Sequence, residues 1–172
     1  MAKKIISGST GAMTVFANGR ELNDVTSVTL PDVEMPTTEI KGAGIMGTLN
    51  IPQTGQVNAM TVEITLRRTG KDKAYLMAQG KVDIEVRMAT DVRASDGSMY
   101  VEGTKIFATG YATKIGNGKA EPGSTRDESV SYSVTRYREI IDGEETMLID
   151  QESKVFKVGG KDRMREVRSI LY

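Results

Sequence analysis

The sequence predicts a mainly β fold: a small antiparallel β-sandwich or barrel with one flanking helix and a C-terminal helix. Three observations predict it. Apolar and polar side chains alternate with a period of two, turn dipeptides separate the alternating segments, and only two segments show helical spacing. No linker or repeat divides the 172 residues, so we expect a single domain, 1–172.

Alternation is clearest in Met60–Leu66, Val82–Met88 and Ser129–Thr135. Each segment places apolar residues on one face and polar residues on the other, which is typical of an antiparallel strand with one buried face. Weaker alternation indicates further strands, at Ala12–Asn18, Asp24–Leu30, Val33–Ile40, Ile106–Ile115 and Met147–Val158.

Local signals place the turns and helices between these strands. Asn18–Gly19, Asp96–Gly97 and Asp142–Gly143 are typical hairpin turns. Lys71–Gln79 lies between two glycines and has apolar residues on one face, so we predict a helix there. The apolar spacing at the end of the chain predicts a second, C-terminal helix over 161–172.

The composition excludes several chemistries. The chain has no Cys, His or Trp, and its 23 Lys and Arg balance 23 Asp and Glu. Thiol and imidazole catalysis, thiolate zinc sites and His-ligated metals are therefore excluded, and we expect no cofactor or metal. Enzymes that use carboxylates, Ser, Lys or Tyr remain open. The neutral balance argues against nucleic-acid binding, and no apolar stretch is long enough for membrane insertion.

One glycine motif resembles a nucleotide site. Gly42–Gly47 matches G-x-G-x-x-G, and Glu63 follows about twenty residues later. That motif requires a helix whose N-terminal amides hold the pyrophosphate. Pro52 would break such a helix within its first turns, so we interpret the segment as a flexible glycine-rich loop.

A surface of small hydroxyl side chains is the most unusual feature. Ser129–Thr135 has an uncharged face of Ser and Thr, and the polar face of Met60–Leu66 carries two threonines and Glu63. An ordinary sandwich surface would explain this pattern. The sharper hypothesis is the wall of an aqueous channel, formed when edge strands of neighbouring subunits pair and the contacts close into a ring.

The chain resembles the major tail tube protein of contractile-tailed phages and phage-tail-like (R-type) bacteriocins. The resemblance spans about residues 12–172, and its departure is Val82–Glu102, which is shorter or different in sequence in the best-known members. The segments that carry it are Val15–Arg20, Val25–Pro31, Thr38–Gly47, Val134–Gly143, Leu148–Asp150, Phe156–Gly160 and the final helix with Arg and Glu.

The resemblance implies a fold similar to the type VI secretion tube protein and a structural, non-enzymatic role. Six copies would form a ring, and stacked rings would form a hollow tube inside a contractile sheath. The expected partners are the chain itself, the sheath protein, a baseplate or tube initiator and a tape-measure protein in the lumen. DNA could pass without specific binding. The subunit would be made in the bacterial cytoplasm and reside in a virion tail or phage-tail-like particle.

A second function stays open: a ring-forming secreted effector or adaptor with the tube fold that does not build long tubes. A carboxylate-based enzyme is a distant third. Electron microscopy of the purified protein separates them, because the first gives long hollow tubes, the second isolated rings and the third neither.

We map the tube onto this chain as a hypothesis. The two lumen hairpins would be Val33–Ile40 with Met60–Arg68, and Ile106–Ile115 with Glu128–Arg138. The N-terminal extension 1–11 and the C-terminal helix 161–172 would dock on neighbours. The candidate lumen residues are Thr61, Glu63, Thr65, Thr109, Thr113, Ser129, Ser131, Ser133 and Thr135.

The glycine-rich loop 41–56 is the candidate for contact between subunits of successive rings. Its glycines permit close backbone approach, and its apolar residues have no evident place in a single subunit. The candidate residues for this contact between rings are Gly42, Gly44, Ile45, Met46, Gly47, Leu49 and Ile51.

Overall fold

A computed structural model of the chain describes residues 5–78 and 80–172. Within these ranges the fold is mainly β, as the alternation predicts. The strands are β1 (Ile5–Ala17), β2 (Arg20–Glu21), β3 (Val25–Thr29), β4 (Thr37–Ile40), β5 (Leu49–Pro52), β6 (Met60–Leu66), β7 (Lys81–Ala94), β8 (Met99–Gly116), β9 (Glu128–Ile141), β10 (Glu144–Asp150), β11 (Val155–Val158) and β12 (Lys161–Asp162). The helices are α1 (Asp72–Ala78) and α2 (Arg165–Leu171).

Ten of these strands belong to one antiparallel sheet with the order β12-β11-β10-β9-β8-β7-β1-β2. β6 joins this path by pairing with β9, and β3 pairs with β6. β4 and β5 form a separate two-stranded sheet.

β9 is the strand on which the sheet divides. One edge pairs with β8 from Ser129 to Ile141. The other edge is shared, because its first half pairs with β6 and its second half with β10. A bulge marks the division: opposite Thr109 and Gly110 the register passes from Arg136 to Val134, so Thr135 is the extra residue.

The bulge changes which residues of β9 enter the core. Before it, Val130, Tyr132 and Val134 are buried, and after it the next buried residue is Tyr137. The side chains on both sides join one apolar cluster with β1, β6, β7, β8, α1 and the β10–β11 pair. Burial of Tyr132 raises its pKa to about 12. Its hydroxyl has no hydrogen-bond partner in the part of the chain that the structure describes.

The predicted hairpin turns are confirmed. Asn18 and Gly19 both have positive φ and join β1 to β2, and Asp142 and Gly143 do the same between β9 and β10. These are the backbone angles that a two-residue type I′ turn requires. Asp96–Gly97 lies between β7 and β8.

The predicted boundaries were wrong at two places in the last third of the chain. Met147–Val158 is two paired strands, β10 and β11, because the chain reverses at residues 151–154. The C-terminal helix does not begin at Lys161. Gly159 and Gly160 have positive φ and turn the chain back, so that Lys161 and Asp162 pair with β11 as β12.

Two further expectations fail near the start of the chain. Residues 1–11 are not a separate extension over their described part, because residues 5–11 belong to β1, which pairs with β7 from Ile5 onward. Residues 1–4 lie outside the described residues. Val33–Ile40 becomes regular only at Thr37, where β4 begins, and it pairs with β5 rather than with β6. The partner that β6 takes on this side is β3.

The predicted helix Lys71–Gln79 is confirmed as α1 in its described residues, and a buried carboxylate anchors its start. Glu128 accepts hydrogen bonds from the Thr69 backbone N–H (3.0 Å) and the Thr69 hydroxyl. Arg126 adds an ion pair at 3.3 Å. These contacts hold the pKa of Glu128 below its usual value, the hydrogen bonds from Thr69 contributing most.

We predict that Gly110→Ala destabilises the subunit. A Cβ at this position would lie 2.0 Å from the Ser133 carbonyl oxygen, so backbone atoms of β9 would have to move. The expected loss is about 2 kcal/mol of unfolding free energy, measured by urea denaturation. Gly103→Ala on the same strand is the control, because its Cβ would meet nothing closer than 3.9 Å. Equal stability of the two variants would contradict the prediction.

We predict that Glu128→Gln lowers stability by about 1–3 kcal/mol at neutral pH, because the amide replaces a charged acceptor at the buried Thr69 contacts. The pKa of Glu128 is lower in the folded state than the 4.5 of an unperturbed carboxyl. Its stabilisation is therefore complete above about pH 4.5 and declines as the pH falls through the folded pKa. The difference between wild type and variant should shrink on acidification, whereas the exposed Glu121→Gln should show little difference at any pH.

Candidate assembly surfaces

The hydroxyl face predicted from alternation exists on β6 and β9. Their register pairs Thr61 with Ser133, Glu63 with Ser131 and Thr65 with Ser129. The residues between them point the other way into the apolar core, so these six side chains share the face opposite the core. Ser131 is buried at 8% exposure, but it does not belong to the apolar cluster.

The other three candidate lumen residues lie at irregular or charged positions. Thr113 is the extra residue of a second bulge and donates a hydrogen bond to the Ser131 carbonyl (3.2 Å). Thr135 is the extra residue of the first bulge and donates to the Thr109 carbonyl (3.4 Å). Thr109 pairs across the sheet with Arg136, and its hydroxyl donates to Asp83 (2.7 Å).

Beyond Thr135 the same face is charged. The β7 residues on this face are Lys81, Asp83, Glu85 and Arg87, which alternate with buried Val82, Ile84 and Val86. Arg136 and Arg138 of β9 lie across β8 from them, and the space between forms an open groove of about 310 Å³. Sequence reasoning did not assign these side chains to a surface, although the alternation in Val82–Met88 already placed Asp83, Glu85 and Arg87 opposite the apolar residues.

Ion pairs neutralise much of this charged area. Arg138 lies 2.6 Å from Glu145, Arg87 lies 2.6 Å from Glu85, and Arg136 lies 3.9 Å from Asp150. Arg87 also lies over the ring of Phe16, 4.7 Å from its centroid. The face is therefore polar and nearly balanced in charge, with hydroxyls at one end and ion pairs at the other.

The first predicted lumen hairpin, Val33–Ile40 with Met60–Arg68, was wrong, because β6 pairs with β3 and β9 instead. The second brings the expected strands together, since β8 and β9 are neighbours along their length. The face thus consists of β3, β6, β9, β8, β7 and β1 in that order.

The glycine-rich segment forms a protruding β-hairpin and not a nucleotide loop. Gly42–Gly47 contains turns with positive φ at Gly44 and Gly47, and β5 follows where a nucleotide site would need a helix. All residues of β4 and β5 are exposed. We call residues 37–52 the β4–β5 hairpin.

The β4–β5 hairpin has two chemically different faces. Its register pairs Ile40 with Leu49 and Thr38 with Ile51, so three large apolar residues share one face. Glu39 and Asn50 share the other. Ile45 is partly exposed and Met46 is fully exposed in the connecting turn. All the apolar candidates for contact between rings are therefore uncovered in the single subunit.

Other kinds of site have little support in the described ranges. No group of three or more Asp or Glu side chains in residues 5–78 and 80–172 is arranged to hold a metal ion. The helices of this same part of the chain are too short to cross a membrane.

Comparisons with known proteins place the chain in a family. The family described as "Phage tail tube protein FII" matches residues 10–171. The tail tube protein of Escherichia phage P2 is 28% identical over 159 residues, covering 91% of this chain and 92% of the relative.

Two solved structures share the fold. One is the sheath/tube terminator of an extracellular contractile injection system, PVC, in the extended state, with 13% identity and a TM-score of 0.56 over 76% of this chain and 94% of that chain. The other is from the PVC sheath-tube complex in the extended state, with 14% identity and a TM-score of 0.52 over 74% and 87% of the two chains. Since the family match spans nearly the whole sequence, the chain belongs to the phage tail tube proteins of the FII family.

Proposed function

We propose that the chain is the structural subunit of the inner tube of a contractile injection system. The observation that carries the proposal is the family match over residues 10–171. Subunits would close into hexameric rings, and stacked rings would form a rigid hollow tube that sheath contraction drives through a target envelope. The subunit has a mechanical role and performs no catalysis.

Open strand edges support ring formation. In the described part of the chain, the outer edge of β1 pairs with β2 at Phe16 and Ala17, and the Val15 carbonyl accepts a hydrogen bond from the Leu22 N–H (2.8 Å). Residues 5–14 of this edge have no strand partner there and carry no charged side chain. β3 at the other end of the face pairs on one side only and is also uncharged. Open edges without charges favour pairing with another chain. A β3 edge that meets the β1 edge of the next copy gives a head-to-tail contact that can close into a ring.

The hydroxyl face is the proposed lumen wall near β6 and β9, with all nine sequence candidates on or beside it. Small hydroxyls and balanced ion pairs would let DNA or a tape-measure protein pass without tight binding, because phosphate affinity depends on unpaired Lys and Arg. The sheath protein would bind outside the tube and a baseplate initiator at its end. The particle would be a virion tail or a phage-tail-like particle assembled in the bacterial cytoplasm.

Negative-stain electron microscopy of the purified, concentrated protein tests the proposal. Long hollow tubes are expected, and isolated rings would favour the effector or adaptor that does not build tubes. Neither tubes nor rings, even with a baseplate initiator present, would contradict both.

We predict that the lumen wall becomes sterically protected in tubes. The chain has no cysteine, so Thr61→Cys places a single thiol on the hydroxyl face. In free subunits it should react with both N-ethylmaleimide and a maleimide on a long polyethylene glycol chain. In tubes, N-ethylmaleimide should react as fast as it does with free subunits, whereas the long reagent should react more slowly. Met77→Cys, on the exposed side of α1, is compared in parallel. Equal reaction of Thr61→Cys with the large reagent before and after assembly would exclude a lumen position.

We predict that the apolar face of the β4–β5 hairpin is required for tube formation. Ile40→Ser with Leu49→Ser removes two side chains whose burial contributes about 1.5–3 kcal/mol each. The variant should unfold like wild type, because both residues lie outside the core, but sediment as free subunits or rings. Glu39→Ser with Asn50→Ser changes the opposite face of the same strands and should leave tubes intact. Normal tubes from the first variant would contradict a contact between rings at this hairpin.

A further inference from the structure

A second apolar surface lies where β1, β7 and β8 extend beyond the core. We call residues 5–10, 90–94 and 99–102 the arm. Its strands pair with each other, but β8 meets β9 only from Thr104, so Met99–Glu102 has an open edge. The outer edge of β1 is open here as well. The arm is therefore a three-stranded sheet without a neighbour on either side among the described residues.

One face of the arm carries large apolar side chains that nothing in the described part of the subunit covers. The register pairs Ile6 and Met99 with Arg93, and Val101 with Asp91, so these five side chains share a face. Ile6, Met99 and Val101 are 55%, 72% and 62% exposed. An apolar patch with a polar rim is typical of a protein–protein contact surface.

The opposite face of the arm is better packed. Val92 and Ala94 are buried there, outside the main core, while their cross-strand partners Tyr100 and Ile5 are 42% and 56% exposed. This packing gives the arm an ordered framework of its own. The exposed apolar face is therefore presented by a regular sheet.

The β4–β5 hairpin likewise has an exposed apolar face and lacks supporting neighbours. It is hydrogen-bonded as a sheet only within itself, and a lone two-stranded hairpin has marginal stability in water. Its apolar face offers Ile40, Leu49 and Ile51, a set similar in size to that of the arm. Both surfaces would gain from covering each other.

The charged side chains near the two apolar faces are placed differently. Glu39, on the polar face of the hairpin, forms an ion pair with Lys41 at 2.9 Å, whereas Asp91 and Arg93 share the face of the arm that carries its exposed apolar residues. Asp91 and Arg93 form no ion pair among the described residues, so both charges are available to a partner.

A stacked tube needs contacts between two different surfaces of identical chains. We propose that the apolar face of the β4–β5 hairpin of one copy packs against the arm of a neighbouring copy. This inference rests on the proposed tube function and adds the surface that receives the hairpin. Another exposed apolar cluster, Ile170–Tyr172 at the end of α2, is the competing receiver.

Cross-linking tests the contact directly, because the chain has no native cysteine. Ile51→Cys with Met99→Cys, treated with a short bifunctional maleimide, should give a ladder of trimers and larger species on a denaturing gel. Each single variant should give dimers at most. Ile51→Cys with Ile170→Cys is the matched control and should give no ladder. A ladder from the control pair in place of the arm pair, or none from either, would overturn the proposal.

Charge substitution gives an independent readout. Ile51→Glu and Val101→Lys should each reduce the yield of pelletable tubes about tenfold or more, since each buries an unpaired charge. The combined variant should recover much of the yield, because the two charges then face each other. All three should unfold at the wild-type temperature, since neither position lies in the core. Failure of the combined variant to exceed the singles would count against the contact.

The two proposals can fail separately. Tubes formed by the wild-type chain report on the tube function. The cross-link ladder reports on the hairpin–arm contact and requires only that copies meet, not that a tube is completed.

Discussion

The two-sided pairing of β9 is the constraint on which the rest of the fold depends. One edge of β9 is fully occupied by β8, and the other is divided between β6 and β10 at the Thr135 bulge. This division lets one sheet curve around a single core to which both of its branches contribute. The same bulge separates the hydroxyl part of the polar face from its charged part, so core geometry and surface chemistry change at one residue.

The same strands that supply the core also leave apolar side chains exposed where they extend beyond it. The long strands β1, β7 and β8 give the core their apolar residues near β9, but they continue past it, where the face with Ile6, Met99 and Val101 is uncovered in the described part of the chain. The β4–β5 hairpin likewise leaves the sheet entirely. A chain with 38% apolar residues therefore folds around a modest core and still has apolar side chains left for contacts with other chains.

Alternation predicted β6 to the residue and correctly assigned the two faces of β9, because period two reports which side of a strand is buried. It could not predict that β6 pairs with β3 and not with Val33–Ile40, since pairing depends on contacts distant in sequence. Helical spacing wrongly predicted that the C-terminal helix begins at Lys161, where the positive φ of Gly159 and Gly160 forms a hairpin instead. For the surfaces, the sequence pattern identified residues such as Met46 that have no place in the core. It could not identify the partner that covers them, because any apolar neighbour can bury an apolar side chain.

The isolation of the β4–β5 hairpin has a consequence for how growth would be controlled. If its order is completed only on contact, part of each contact's free energy is spent on ordering, and two lone subunits would separate quickly. In the proposed tube, a closed ring would present every hairpin to the next ring at once, so the effective concentration of each further contact would be high after the first forms. Avidity would then favour addition to an existing tube end over spontaneous pairing of free subunits, which gives the tube a natural preference for extension from a template.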